Sequence, residues 1–240
     1  MTSVMIAWIP WKQLGLGLVS ATLIVLNPPA VAASPDSAEW RFRVFLDGSE
    51  IGYHAFRLST VEGKQLVESE ASFEVRFLVF NAYSYEHQSH ELWAGDCLHS
   101  IESTTNDNGD RQWVAGRQIG EGFQVDSSSG RKTVAACPMT FAYWNPAILR
   151  ASRLLNAQTG EYLEVDTKPS GQRSFKVGGS ALDAKEWTLV TRDREIRLWY
   201  DPGERWLSLE STTEGGRTLR YDLVEMPSVV FLARYLDQPE

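Results

Sequence analysis

The sequence predicts an all-β protein, mainly antiparallel, curled into a β-roll or a partly open β-barrel with one short helix. Three observations predict it. From Trp40 onward apolar side chains recur at every second residue, the period of a half-buried strand. Turn-forming residues interrupt these runs at spacings of about 8–16 residues, the rhythm of a hairpin-connected sheet. Within the strand-rich region one stretch, beginning at Asn145-Pro146, carries clear helical signals.

The strands follow in chain order. "WRFRVFL" puts Trp40, Phe42, Val44 and Leu46 on one face. In "VESEASFEVRFLVF", Val67, Ala71, Phe73, Val75, Phe77 and Val79 share a face, with Ser69 the one polar residue in their row. Glu68, Glu70, Glu74 and Arg76 take the other side. "REIRLWYD" alternates Ile196, Leu198 and Tyr200 with charge, and "RTLRYDLV" does the same through Leu219, Tyr221 and Leu223. Asp47-Gly48, Asn108-Gly109, Gly178-Gly179, Asp201-Pro202-Gly203 and Gly215-Gly216 supply turn chemistry between runs. About twelve strands in a meander are expected, and a sheet that long curls rather than staying flat.

The segment "CPMTFAYWNPAILRASRLL" reads as a short strand running into the helix. Met139, Phe141 and Tyr143 would face one side, and Thr140, Ala142 and Trp144 the other. Asn145 suits the N-cap and Pro146 the first helical position. Ile148, Ala151 and Leu155 then follow at i, i+3 and i+7, leaving Arg150 and Arg153 for water. This helix would separate a first group of strands, 40–144, from a second, 161–224.

Three segments are expected: a signal peptide over 1–33, one β domain over 34–224, and a tail over 225–240. Lys12, the uncharged run Leu14–Leu26, Pro28-Pro29 and the small residues Ala30 to Ala33 have the layout of a secretory signal. The apolar run falls short of the ~20 residues a spanning helix needs, so no stable membrane span is expected after processing. Trp8 and Trp11 are unusual in a signal, and a retained anchor is the alternative. In the tail, "SVVFLARYL" suits either a last strand or a short helix.

Cleavage after Ala33 leaves 22 basic against 31 acidic side chains, a formal charge of −9. An acidic surface without a basic block repels phosphate backbones, so nucleic acid is not an expected partner. Cys97 and Cys137 are the two cysteines. In an exported chain they most simply pair. Periplasmic or secreted localisation follows from the leader and the disulfide together. Oligomeric state stays open.

Catalytic signals are weak. His87 and His90 in "YEHQSHELW" lie three apart, which on a strand sends them to opposite faces, and His54 and His99 stand at no known ligand spacing. No metal or cofactor is expected. Glu86, beside Tyr85 and His87, is the acid–base candidate to inspect first, against the plainer reading of a charged strand face. The aromatic content says more: Trp93, Trp113, Trp144, Trp187, Trp199 and Trp206 join many Phe and Tyr residues. These rings either fill a wide barrel or line a cavity for an apolar ligand. On the second reading Phe141, Tyr143, Trp144 and Asn145 are the candidate ligand-binding residues.

"CPMTFAYWNPAILRASRLLNAQTGEYLEV", with "DGSEIGYHAFRL", "TNDNGDRQW" and "LWYDPGERWLSLEST", resembles a family of exported bacterial proteins of unknown function, over residues 39–224. Phe-Ala-Tyr-Trp-Asn-Pro is the most specific block. The strand, Asp-Pro-Gly, strand pattern is similar to other periplasmic β-roll domains. The resemblance implies a roll or barrel and no catalytic residue. The leading functional expectation is an exported protein that binds an apolar or amphiphilic, lipid-like envelope molecule. A periplasmic hydrolase or isomerase, and an envelope protein-assembly partner, are the alternatives.

Overall fold

A computed structural model describes residues 37–77, 80–177, 180–213 and 215–227. The expected signal peptide, the Gly178-Gly179 turn and most of the expected tail lie outside the described residues. The described residues all belong to one compact unit.

Eight strands open the domain: β1 (Ser37–Leu46), β2 (Ser49–Val61), β3 (Lys64–Phe77), β4 (Phe80–Ala94), β5 (Cys97–Asp107), β6 (Asp110–Ile119), β7 (Gly122–Ser127) and β8 (Gly130–Ala135). An insert follows, with β9 (Met139–Thr140), a 3-10 helix (Pro146–Arg150), β10 (Arg153–Leu155) and β11 (Tyr162–Glu164). Five strands close it: β12 (Asp166–Val177), β13 (Ser180–Val190), β14 (Glu195–Tyr200), β15 (Trp206–Thr212) and β16 (Thr218–Glu225).

Thirteen of these strands form one antiparallel sheet in the order β12-β13-β14-β15-β16-β1-β2-β3-β4-β5-β6-β7-β8. The two meanders are joined where β1 pairs with β16, Val44 opposite Tyr221. The sheet is not closed, so β12 and β8 are its edges. Pro169 sits on β12, an edge strand, where its missing N–H leaves fewer partners wanting. The expected hairpin chemistry is in place. Asp47-Gly48 has φ of 49° and 83°, and Asn108-Gly109 has 51° and 96°, the left-handed pair that matches strand twist. The Asp201 carboxylate accepts from the backbone of Gly203 and Arg205 and pairs with the Arg205 guanidinium at 2.6 Å. Register shifts at Val44/Phe45, Val75/Arg76, Leu92/Trp93 and Trp199/Tyr200 mark bulges that bend the sheet.

The alternating rows point as the sequence implies. Trp40, Phe42, Val44, Leu58, Val67, Ile196 and Leu198 are buried in one core. Two indole tips of this core are satisfied, Trp40 donating to the Trp206 carbonyl and Trp206 to that of Ser208. Trp199 packs on the opposite face with Ala184 and Leu207, and Trp113 is largely exposed.

The insert corrects the sequence reading in two places. The strand expected through Tyr143 ends at Thr140, and the backbone turns at once, Asn145 N–H donating to the Ala142 carbonyl. The helix expected to reach Leu155 stops at Arg150 after five residues of 3-10 geometry. Ala151 is extended (ψ 138°), and Leu154 and Leu155 lie on β10, pairing with β9 in parallel and β11 in antiparallel. Both leucines are fully buried. Neighbouring residues of a strand face opposite ways, so enclosure on both sides favours a strand over a one-sided helix. The insert packs into the same core as the inner face of the large sheet. Its chain connects the two unpaired edges, β8 and β12.

Candidate functional site

The curled sheet and the insert leave a chamber of about 890 Å³ between them, inside the range of small-molecule sites. Its rim carries charge: Asp107, Glu161, Asp193, Arg194 and Arg217 line it from hairpins and the insert. Inside, the lining is mostly neutral. The inner row of β4 runs Tyr83, Tyr85, His87, Ser89, Glu91, roughly 27 Å of strand at ~3.3 Å per residue.

Register builds a polar belt across that row. His54 stands opposite Ala71, Ala71 opposite His87, and His87 opposite Thr105, on four adjacent strands. One step deeper, Ser69 pairs with Ser89 and Ser89 with Ser103. The His54 ring is held at both nitrogens, 2.8 Å from Ser69 Oγ and 3.1 Å from Tyr221 Oη. It stacks on Phe56 with centroids 4.1 Å apart. His87 Nδ1 lies 2.9 Å from Thr105 Oγ1, which leaves Nε2 for the chamber that the ring lines. Burial holds His54 well below the usual imidazole range, with His87 adding to the effect. Burial alone pushes His87 down to about 4. Both rings are therefore neutral at physiological pH.

At the inner end Glu91 accepts from Trp93 Nε1 at 3.0 Å and from Thr140 Oγ1 at 3.2 Å. Burial pushes its carboxyl up to about 7, against the pull of these two donors. Burial also raises the phenols of Tyr83, Tyr85 and Tyr143, so they stay protonated as donors.

Phe141 and Tyr143 are half-buried, line the chamber and contact each other, with Tyr143 also against Trp206 at 5.3 Å. The Tyr143 carbonyl accepts from Tyr200 Oη at 2.8 Å. Trp144 is deeper, edge-on to Trp93 at 5.6 Å, with a side to the chamber. The Asn145 side chain is spent elsewhere: its oxygen accepts from Ala147 N–H at 2.9 Å and its amide donates to Asp96 at 3.1 Å. Glu86 is exposed on the outer face, between two residues that point inward. His87 is buried and His90 exposed, so the pair does not converge. Cys97 and Cys137 form a disulfide. Sequence reasoning missed His54, Ser89, Glu91 and Thr105 as interior groups. Along β4 both faces are polar, so period two marks a strand there without saying which side is inside.

Fold and chamber together define an antiparallel, barrel-like shell whose sheet is not closed and whose own insert packs into part of its interior. A model of the family described as Domain of unknown function (DUF6134) matches residues 42–224, and the chain belongs to that family. No curated protein matches it. Among solved structures it is similar to the beta-barrel-like protein of domain of unknown function DUF1849 from Brucella abortus, with a TM-score of 0.60 at 10% identity. That match covers 80% of this chain and 97% of the other. At such identity the likeness concerns the fold.

Proposed function

We propose that the protein is a non-enzymatic binding domain for an apolar or amphiphilic, lipid-like molecule of the cell envelope. One observation carries the reading: a chamber of about 890 Å³ lined by Phe56, Val67, Phe73, Tyr85, Phe141 and Tyr143. Water in such a space gains little from apolar walls, so an apolar chain replacing it is favoured by about 25 cal/mol per Å² of surface covered. The Cys97–Cys137 bond supports an oxidising compartment outside the cytoplasm. Protein purified from its native envelope and extracted with organic solvent should release a lipid in near-stoichiometric amount, read by mass spectrometry. An empty extract, together with no fluorescence gain from N-phenylnaphthylamine, would overturn the proposal.

A hydrolase is the second reading, favoured by the order Ser69, His54, Tyr221, which has the layout of nucleophile, base and orienting group. Against it, a ring held well below the usual imidazole range is a weak base. A fluorophosphonate probe decides the matter. Covalent label at Ser69 supports the hydrolase, and an unlabelled Ser69 removes it.

A further inference from the structure

The register that builds the polar belt also leaves a notch in it. In the row His54, Ala71, His87, Thr105, three members are large or polar and the second is a methyl group. Opposed residues on neighbouring strands stand about 5 Å apart, so two imidazoles flank the space above Ala71. The His54 nitrogens are both engaged, which makes that ring a wall rather than a ligand group. His87 is 6% exposed, and its Nε2 has a chamber to face. Ser89, 3% exposed, adds a hydroxyl one step deeper on the same strand.

We propose that this notch over Ala71 seats the polar group of the bound amphiphile, and that the group is a neutral oxygen: a hydroxyl, or the carbonyl of an ester or amide. The inference rests on the chamber being a ligand site and adds the chemistry of the ligand's head. His87 Nε2 and Ser89 Oγ are the hydrogen-bonding contacts. If His87 Nδ1 donates to Thr105, Nε2 accepts a hydroxyl proton; if Thr105 donates, Nε2–H meets a carbonyl or hydroxyl oxygen. Both tautomers are uncharged. A carboxylate seated here would meet no cation, because Arg194 and Arg217 stand at the rim. An ammonium would face an uncharged ring. A carboxylate would lose its hydration without a partner, and an ammonium would find a carboxyl only further in at Glu91, which Trp93 and Thr140 already engage. The belt lies near the middle of the β4 row, with apolar lining on both sides: Val75 and Leu219 toward the rim, Val67 and Ala142 further in. The fitting ligand therefore carries its polar group between two apolar portions, or extends an apolar tail from it in one direction.

Four probes sharing one alkyl chain test this: dodecanol, methyl dodecanoate, dodecanoate and dodecylammonium, each titrated against tryptophan fluorescence of the full domain. The alcohol and ester should bind at least about tenfold tighter than either ion, the scale of one well-made hydrogen bond. His87→Leu should shrink that preference to about threefold or less, Ala71→Leu should weaken alcohol and ester by more than about tenfold, and Glu86→Gln on the outer face should change neither. Ser89→Ala is the milder variant should His87→Leu lose its fold by circular dichroism, and it should reduce the preference in the same direction. Equal binding of all four probes, a preference for either ion, or a preference that survives both His87→Leu and Ser89→Ala would overturn the head-group assignment while leaving the chamber a ligand site. Failure of every probe to bind would overturn the chamber reading itself.

Discussion

Glu91 shows what enclosure does to a single residue. Its carboxyl is 6% exposed and receives two hydrogen bonds on one oxygen, yet burial prevails and the group titrates at about 7 instead of 4.5. A carboxyl raised in the fold keeps a proton that the unfolded chain releases. Its stabilising contribution is complete below about pH 4.5 and is lost as pH rises through about 7, a swing on the order of 3 kcal/mol. Glu91→Gln retains an acceptor oxygen for Trp93 and Thr140 and removes the titration. The variant should therefore gain on the parent in thermal unfolding at pH 8 and show little gain at pH 4.5; equal differences at both would refute the assignment. The histidines act on the other limb. His87 is depressed in the fold to about 4, so its contribution is full above 6.5 and disappears as pH falls through about 4. His54 shifts the same way. His87→Gln should flatten the loss of stability between pH 6.5 and 4, measured by urea unfolding at several pH values. Gly52 is a constraint of a different kind. With φ of 150°, a Cβ there would sit 1.9 Å from the Ser72 carbonyl oxygen, which backbone cannot yield. Gly52→Ala should cost roughly 3 kcal/mol or more, whereas Gly48→Ala in an open turn should cost about 1 kcal/mol.

Among the elements, the insert from Cys137 to Glu164 explains both what the sequence discloses and what it withholds. Asn145-Pro146 was legible because capping is local chemistry: a side-chain oxygen, a free N–H and a proline that needs no donor. The extent of the helix was not legible. Ile148, Ala151 and Leu155 have helical spacing, but β9 and β11 offer Leu154 and Leu155 backbone partners on both sides, and that pairing is non-local. Propensity yields to such context. Asn145 also does more than cap. By donating to Asp96 it ties the insert to the turn between β4 and β5, beside the disulfide. Asn145→Ala should destabilise by about 2 kcal/mol, combining a lost cap with a lost part-buried hydrogen bond. Asn145→Asp separates the two roles. Aspartate caps as well as asparagine, but here its carboxylate would confront that of Asp96. If Asn145→Asp unfolds as easily as Asn145→Ala, the tie matters; if it matches the parent, the cap alone does.

At the scale of the whole molecule, a thirteen-stranded sheet that does not close must be held in its curl by something other than its own edges. Alternation along β1, β3, β14 and β16 made the curled sheet legible, since rows such as Trp40, Phe42, Val44 have to face a common interior. The chamber was less legible, because it exists where that rule lapses: β4 turns Tyr85, His87 and Ser89 inward while presenting Glu86, Gln88 and His90 outward. Cross-strand register, which decides that His54, Ala71 and His87 share a row, is set by turns and bulges together and cannot be read from any one strand. What spans the interior is the insert. It reaches β4 through Thr140 and Glu91, β5 through Ser103 and the Ala157 carbonyl, and β14 through Tyr200 and the Tyr143 carbonyl. Among the described residues, the Cys97–Cys137 bond is its covalent tie to the wall. The bridge closes a loop with a sequence separation of 40, which restricts the unfolded chain by ~4 kcal/mol. Replacing both cysteines by alanine should lower unfolding stability by up to that amount. The more specific expectation is where the loss appears. If the insert braces the open sheet, hydrogen exchange in the variant should quicken first over residues 137–164 and at the edge strands β8 and β12, while amides of β2 to β5 keep their protection until global unfolding. Uniform acceleration across all strands would mean that the disulfide acts on the unfolded chain alone and that the shell holds its curl without the brace.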